Sequence, residues 1–547
     1  MTIKYTKEQL NKFDKDLLIE LFLGMQGQME ELSRQTQALN DRMQLMMEQM
    51  VLFQKNRFGR SSEKMADSEQ IRFMEVDGTI VFFNEAEAVC DLDAPEPDDL
   101  ELKAPKKKKQ PGKKAADIAG LTVKRIDHYL KEEELTAEFG ENGWKQLPDA
   151  ISRCYQFIPA SVVIEEHHIG VYSSKLDEHM IKAPHPRNLL HGSLVSPSLA
   201  AAVINGKYVN AVPLYRLEKE FEGYGLAITR QNMANWMIRL GEEYLGTMYD
   251  YLHKLLYDYH VIQADETPVL VNKDGRPAGS QSYMWVYRSG FMYRDRQIIL
   301  YEYQKTRNAS HPREFLMDYT GICVTDGYQV YHTLEKERED LKIAGCWVHC
   351  RRRFNDALEV IPKAHRKESI LHLIMKQIQA IYREEGKLSD FSTEDRLMQR
   401  QLVVKPLVDA FFAYLKQNEP KIPKNGKIRE AFTYALNQES YLKVFLEDGD
   451  VPIDNNASER AIRGFCIGKK NWEMIDTVNG ASSSAIIYSI AETAKANNLK
   501  PFDYFEYLLT EIPKHVDDKN TDFLAELLPW SDMLPENIRK PQKASGK

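Results

Sequence analysis

Apolar residues recur every seven positions near the start of the chain. Two such series, offset by four residues, cover residues 15–55, and ten of their eleven positions are apolar. The series are Leu18, Met25, Leu32, Leu39, Met46 and Phe53, and Phe22, Met29, Thr36, Met43 and Met50. This period is typical of a coiled coil, so we predict self-association through an oligomerisation helix in residues 1–65. One long amphipathic helix packed on its own protein would show the same pattern.

The pattern changes twice over the next 125 residues. Residues 66–118 hold an acidic block, several prolines and a lysine run from Lys106 to Lys109, which predicts a flexible linker. The lysines could contact phosphates or lie on a solvated surface. Residues 119–190 alternate apolar and polar positions and predict a small β domain.

Helical periodicity dominates residues 191–257. The predicted helices are Pro197–Asn205, Pro213–Phe221 and Thr229–Leu240, and Thr229 suits the N-cap of the last one. One interpretation is a helix-turn-helix-like DNA-binding domain, whose recognition helix would begin with Arg230, Gln231 and Asn232. Three scaffolding helices would give the same pattern.

Residues 258–490 predict an α/β domain. The predicted order is three strands, a helix and a fourth strand, over Tyr259–Ala264, Ser282–Tyr287, Gln297–Tyr303, Pro312–Tyr319 and Gly321–Thr325. A helical insertion is predicted over 355–450, followed by a helix that starts near Asn456. Residues 491–547 predict a short helical C-terminal piece. The fold class expected for the whole chain is therefore multidomain α/β.

Three acidic residues in this domain have contexts that suit metal-dependent phosphoryl transfer. Asp265 and Asp326 each follow an apolar run that predicts a strand, and Glu459 falls on the predicted helix. Carboxylates placed in this way suit two Mg²⁺ ions, which could activate an attacking oxygen and stabilise a leaving one. Aspartate at a strand end can also simply begin a turn. Glu459 could instead complete a capping box with Asn456, and Asp454 is the alternative third acid.

The residues around these acids carry a more specific signal. The motifs are Ala264-Asp265-Glu266-Thr267-Pro268-Val269, Thr325-Asp326-Gly327-Tyr328, Cys346-Trp347-Val348-His349, Asp454-Asn455-Asn456 with Glu459-Arg460, and Gly468-Lys469-Lys470-Asn471-Trp472. In this order the chain resembles the insertion sequence 66 family of bacterial DDE transposases. The resemblance extends to Arg57–Lys64, Pro213–Arg216 and Leu527–Trp530, and so covers nearly the whole chain.

The resemblance implies an RNase H-like catalytic core that acts on DNA. Asp265, Asp326 and Glu459 would be catalytic and would hold two Mg²⁺ ions, for which Mn²⁺ could substitute. We expect phosphate contacts from Arg351, Arg352, Arg353, Arg460, Arg463, Lys469 and Lys470, although a charge run is often only a solvated surface. Cys346, His349 and Asn456 would support the site, and for His349 a structural or transition-state role is favoured over metal binding. Zinc is not expected, because the β domain lacks the cysteine pairs that family members often carry.

Composition and charge bound the remaining possibilities. Net charge is −8, but the acidic block accounts for part of it, so a basic DNA-binding surface elsewhere is not excluded. Six scattered cysteines favour reduced thiols. The first residues show no signal-peptide pattern and no segment is apolar enough to span a bilayer, so we expect a cytoplasmic protein without a membrane partner.

The leading hypothesis is a transposase that cuts DNA at the terminal inverted repeats of a mobile element and joins the ends to target DNA. Small accessory proteins of the same element are a further expected partner. One alternative is a catalytically silent DNA-binding protein descended from a transposase. Another is a metal-dependent nuclease that does not join strands.

Overall fold

The computed structural model describes residues 74–76, 79–81, 129–141, 160–173, 180–184, 187–277, 279–518 and 520–541. The heptad segment and most of the predicted linker lie outside these residues. From residue 129 onwards the described chain forms two compact units. The helical unit comprises residues 343–454, and the sheet unit comprises the described residues of 129–342 together with 455–541.

The fold is mixed α/β. The strands are β1 (Met74–Val76), β2 (Thr79–Val81), β3 (Val171–Ser173), β4 (Met180–Lys182), β5 (Val261–Lys273), β6 (Gln281–Ser289), β7 (Ile299–Gln304), β8 (Gly321–Thr325), β9 (Leu341–Gly345) and β10 (Ile475–Thr477). Pairs β1–β2 and β3–β4 are short and antiparallel. The main sheet has the order β7-β6-β5-β8-β9, and β10 pairs with β5. The chain passes from the sheet unit into the helical unit within β9.

Strand β5 is the organising element of the main sheet. It pairs antiparallel with β6 from Ile262 to Leu270 and parallel with β8 over Val261–Gln263. The predicted order of elements along the chain, three strands, a helix and a fourth strand, is confirmed. The bounds predicted for β8 match those observed. The prediction that the first strand ends before Asp265 is wrong, because pairing with β6 carries β5 on to Lys273.

Helices cover this sheet and flank it. The sheet unit contains α1 (Glu132–Phe139), α2 (Pro197–Ile204), α3 (Leu214–Gly223), α4 (Arg230–Leu240), α5 (Gly246–Leu256), α6 (Ser310–Phe315), α7 (Gln329–Glu337), α14 (Asn456–Trp472), α15 (Val478–Ala496), α16 (Pro501–Glu511) and α17 (Leu524–Leu527). Helix α1 lies in the region for which only strands were predicted. Helix α15 packs on β7 and also contacts α4 and α5, while α16 packs on α2.

Helix α15 protects the free edge of β7. Its Ser489 and Thr493 hydroxyls accept hydrogen bonds from the backbone N–H groups of Tyr301 (2.7 Å) and Ile299 (3.0 Å). The buried residues of α15 are mostly alanine and serine, which lets the helix approach the strand closely. An edge strand with unpaired N–H groups invites pairing with another chain, and these two side chains prevent it.

The helical unit builds its own core. Its helices are α8 (Trp347–Val360), α9 (Ile370–Gly386), α10 (Thr393–Gln399), α11 (Lys405–Asn418), α12 (Lys427–Asn437) and α13 (Glu439–Lys443). Trp347, Phe354, Phe411 and Phe412 are fully or almost fully buried, and the Trp347 indole donates to the Leu442 carbonyl at 2.8 Å. The helical insertion predicted over residues 355–450 is present, since helices α9 to α13 lie in this range. In the described part of the chain, no helix is both long and apolar enough to cross a membrane.

Candidate active site

The sheet register places the first two predicted acids side by side. Strand β5 pairs with β8 in parallel, and the last pair joins Gln263 to Val324. Asp265 lies two residues beyond Gln263 on β5, and Asp326 directly follows Thr325, the last residue of β8. Both aspartates therefore lie close to the end of this pairing, and the charge of Asp326 acts on Asp265.

Asp265 is half-buried among other carboxylates. Burial, followed by the nearby charges of Glu266, Asp326 and Glu459, raises the pKa of Asp265 to about 8. Like charges that are held together disfavour ionisation of each other. The three predicted acids are therefore close enough to interact, and Glu266 joins them as a fourth.

Helix α14 brings Glu459 close to Asp265. Its N-cap is Asn455, which is fully buried and donates to the Ala264 carbonyl on β5 at 2.7 Å. The Asn455 side chain also accepts a hydrogen bond from Gln263 Nε2 at 3.1 Å. These two contacts fix the start of the helix against the strand that carries Asp265, and Glu459 lies one turn further on.

The capping-box alternative for Glu459 is wrong. The helix starts at Asn456, so the third helical position, which a capping box requires, is Ser458 and not Glu459. Asn455 makes no side-chain cap hydrogen bond, because its amide is directed to β5. Glu459 therefore does not complete a capping box for this helix. Asn456 is the half-buried first residue of the helix.

Asp326 begins a turn, as the alternative to a catalytic role predicted. It also belongs to the acidic cluster. Its Oδ1 accepts the backbone N–H of Tyr328 at 2.9 Å, across Gly327, whose φ of 90° suits glycine. Asp265 Oδ1 likewise accepts the N–H of Glu266 at 2.8 Å. One oxygen of each aspartate is therefore oriented by the backbone.

Arg307, which follows β7, links the residues that orient the two aspartates. Its Nε donates to Glu266 Oε1 at 2.7 Å, and its Nη2 contacts the same oxygen. The guanidinium stacks on the Tyr328 ring, with 3.7 Å from Cζ to the ring centre. The Tyr328 hydroxyl donates to the Arg307 carbonyl at 2.8 Å. Burial and the Asp326 charge raise the pKa of Glu266 to about 7, although Arg307 opposes this shift.

Helix α14 also carries four of the cations predicted to contact phosphate. Arg460, Arg463 and Lys470 are exposed, and Arg460 lies 5.5 Å from the ring centre of the half-exposed Phe291. Lys469 is tied down, because its Nζ donates to the Pro268 carbonyl at 2.9 Å. Exposed cations thus begin directly after Glu459 and continue along the helix.

The predicted recognition helix is present as α4. Thr229 is its N-cap and accepts the N–H of Asn232 at 3.2 Å, as predicted. Arg230, Gln231 and Asn232 are all exposed at its first turn. The opposite face, with Met233, Met237 and Leu240, is buried.

The remaining predicted residues lie on α8 in the helical unit. Cys346 is its fully buried N-cap, and His349 is half-buried in its first turn. Arg351, Arg352 and Arg353 are exposed and point in different directions, because consecutive helical residues are about 100° apart. Arg353 lies over the Tyr434 ring at 4.9 Å and lines a cavity of about 490 Å³ along α12.

Sequence reasoning missed Arg307 and did not include Glu266 among the catalytic residues. Glu266 follows Asp265 directly, and successive side chains of a strand point to opposite faces. The Glu266 side chain is nevertheless only 2% exposed, and its partner Arg307 is 41 residues away. No local pattern could have predicted this pair, because the burial of Glu266 and the approach of Arg307 arise only in the folded chain.

Comparison with known proteins identifies the family of the chain. Residues 192–483 match the model described as Transposase IS66 family, residues 489–530 match the IS66 C-terminal element, and residues 45–126 match the Transposase C of IS166 homeodomain. Among curated proteins, the chain is 28% identical to the uncharacterized protein y4qI of Sinorhizobium fredii, over 66% of this chain and 67% of that protein. It is 25% identical to y4jD of the same organism, over 76% of this chain and 82% of that protein. Because the first model alone spans more than half of the chain, the chain belongs to the IS66 family of transposases.

Proposed function

We propose that this transposase cuts DNA at the ends of a mobile element and joins those ends to target DNA, with Asp265, Asp326 and Glu459 as its catalytic residues. The observation that supports the proposal best is the convergence of acids from β5, β8 and α14. Burial and three neighbouring carboxylates raise the pKa of Asp265 to about 8. Such a cluster is electrostatically costly unless a cation balances it, and function is a common reason for retaining it.

The strand order supports an RNase H-like core. Three antiparallel strands, β7-β6-β5, are followed by β8, which runs parallel to β5, and then by β9. This is the arrangement that the resemblance implied. The helical unit, between β9 and α14, then corresponds to an insertion between the second acid and the third.

The donor set fits Mg²⁺ or Mn²⁺. The cluster offers carboxylate oxygens, which hard divalent cations prefer, whereas zinc sites favour histidine and cysteine. Asp265, Asp326 and Glu459 would hold two ions, with the Oδ1 atoms of both aspartates already oriented by backbone N–H groups. When bound, such ions polarise the phosphate and lower the pKa of water for attack.

The protein's own contribution is to position the DNA and the reacting groups. Water attacks the phosphodiester at the element end in line with the leaving oxygen and frees a 3′ hydroxyl. That hydroxyl then attacks a target phosphodiester and displaces its 3′ oxygen. One rigid set of acids can serve both displacements because both occur at phosphorus with the same geometry.

The exposed cations supply the DNA contacts in this proposal. Arg460, Arg463 and Lys470 on α14 would bind phosphates next to the cut, with Lys469 supporting the helix. Arg230, Gln231 and Asn232 would contact the terminal repeat, and Arg351, Arg352 and Arg353 would contact phosphates from the helical unit. Phosphate contacts position the DNA, and base contacts supply specificity. Self-association through residues 15–55 and small accessory proteins remain part of the proposal, since two element ends must be processed together.

A cleavage assay tests this function. A labelled duplex that carries the element's terminal repeat is incubated with Mg²⁺ or EDTA, using wild type, Glu459→Gln and Glu473→Gln. Glu473 is a matched control because it is exposed at the far end of the same helix. We expect nicking at the repeat boundary that requires Mg²⁺, is lost in Glu459→Gln and persists in Glu473→Gln.

A second duplex, added as target, separates joining from cutting. Joined product supports transposition, whereas cutting without joining identifies a nuclease. Repeat-specific binding with no cut under any metal condition would contradict the enzymatic proposal.

A further inference from the structure

The two aspartates are oriented in the same indirect way. Each Oδ1 accepts a backbone N–H, from Glu266 for Asp265 and from Tyr328 for Asp326. The side chains of these two donor residues both contact one residue, Arg307. A change in the position of Arg307 would therefore alter the orientation of both aspartate side chains.

Contacts fix Arg307 from several sides. Two of its guanidinium nitrogens meet Glu266 Oε1, and its flat face lies against the Tyr328 ring. The Tyr328 hydroxyl closes the loop by donating to the Arg307 backbone carbonyl at 2.8 Å. A planar guanidinium can form such a fork and stack at the same time, whereas a lysine ammonium cannot.

Glu266 is an unusual partner for a purely structural ion pair. Its side chain is only 2% exposed, and its Oε2 is buried without a hydrogen-bond partner in the described residues. A buried acceptor without a partner costs free energy. Its retention next to Asp265 indicates that the pair serves the acidic cluster and not only the stability of the fold.

We propose that Arg307 is a positioning residue of this site, which holds Glu266 on one side and Tyr328 on the other and so orients Asp265 and Asp326 to receive divalent cations. This inference rests on the proposed function, because it concerns the same cluster. Arg307 acts through its neighbours and is not itself assigned a contact with DNA or metal.

The test measures metal binding directly. Mn²⁺ is titrated calorimetrically into full-length wild type, Arg307→Lys and Arg313→Lys in the absence of DNA. Arg313 is a matched control, because it makes a fork-like pair with Glu337 (2.9 Å for both contacts) on the surface of the same unit. We expect Arg307→Lys to weaken Mn²⁺ binding by about 10–100-fold, the range found when residues that orient metal ligands are replaced. Arg313→Lys should bind as wild type does.

Two further measurements separate positioning from folding. Thermal unfolding of both lysine variants should agree within a few degrees, and duplex binding in EDTA should be unchanged. Tyr328→Phe keeps the ring and the backbone N–H but loses the bond to the Arg307 carbonyl, so its Mn²⁺ affinity should fall less than that of Arg307→Lys. If folded Arg307→Lys binds Mn²⁺ like Arg313→Lys, the proposal is overturned.

The readout does not require cleavage. A wild-type protein that binds Mn²⁺ but never cuts DNA would contradict the proposed transposition chemistry, while the comparison of Arg307 with Arg313 would still decide this inference. A wild-type protein that binds no Mn²⁺ would overturn the inference together with the metal assignment.

Discussion

Each unit contains an arginine–glutamate pair with a largely buried carboxylate, and the two pairs differ in how completely they are satisfied. In the helical unit, Arg400 is 1% exposed and donates to both carboxylate oxygens of Glu385 and to the carbonyls of Phe445 and Asp448. In the sheet unit, Arg307 meets a single oxygen of Glu266 and leaves Oε2 buried without a partner in the described residues.

The two pairs also differ in the charge of the residues around them. The Arg400 pair is neutral and every polar atom named above has a partner. Arg400 thus ties α9, which carries Glu385, to the segment from Phe445 to Asp448. The Glu266 pair adjoins three more carboxylates, and burial together with this excess of negative charge raises the pKa of Asp265. A satisfied pair indicates a structural role, whereas an unbalanced cluster indicates a site that needs something from outside the chain.

The largest effect is expected from removing one acid of the unbalanced cluster. Asp326→Asn should reduce cleavage of the terminal-repeat duplex by on the order of 10³-fold or more, because in the proposed function the residue helps to hold the cations that stabilise the transition state. Binding of the same duplex in EDTA, measured by fluorescence anisotropy, should stay within about twofold of wild type. Retained cleavage would show that Asp326 is not catalytic. The acidic cluster would then no longer differ in function from the Arg400–Glu385 pair.

Disrupting the Arg400–Glu385 pair should lower the stability of the protein and leave metal binding unchanged. Arg400→Met leaves Glu385 buried without its cation and should lower the free energy of unfolding by about 3–5 kcal/mol, as expected when one member of a buried pair is removed. Chemical denaturation of the helical-unit transition measures this loss. Adding Glu385→Leu in the same chain should restore most of the stability. A change in Mn²⁺ affinity for the folded Arg400→Met protein would show that this pair is not purely structural.

The acidic cluster should also make the stability of the protein depend on pH. Burial raises the pKa of Asp265 to about 8 in the folded protein, against about 3.9 in an unfolded chain. The folded state then binds more protons than the unfolded state, so this residue reduces stability progressively as pH rises from about 4 to about 8. In EDTA, Asp265→Asn should therefore unfold at a higher temperature than wild type at pH 8, by ~2 °C or more, and the difference should shrink towards pH 4.

Calorimetric scans at pH 5 and pH 8, with and without Mn²⁺, measure this difference. Mn²⁺ should raise the unfolding temperature of wild type at pH 8 and have little effect on Asp265→Asn. A difference in unfolding temperature that does not change with pH would indicate that ionised Asp265 does not destabilise the folded protein.

The smallest effect is expected from the exposed cations of α14. Arg463→Gln should weaken binding to specific and unrelated duplexes alike and lower the slope of log affinity against log salt by about 1. Arg313→Gln serves as a control, since Arg313 pairs with Glu337. An unchanged slope in Arg463→Gln would mean that this face of α14 does not lie on DNA.

Much of the sheet unit could be predicted from the sequence. Apolar runs before Asp265 and Asp326 gave both strands, and the N-cap chemistry of Thr229 gave the start of α4. The extent of β5 could not be predicted, because its second half is held by pairing with β6 and is not a continuous apolar run. The capping-box alternative at Glu459 failed for a related reason, since Asn455 bonds to a strand nearly 200 residues away.

The sequence by itself determined which residue types this protein has for its chemistry, the order of the strands and helices that carry them, and its family. These follow from local periodicity and from motifs that are contiguous in the chain. Only the tertiary structure decided that Asp265 and Asp326 lie close together, that Glu266 joins the cluster, and that Arg307 links both aspartates. Those relations depend on strand pairing and on burial, which join residues far apart in sequence and leave no local pattern.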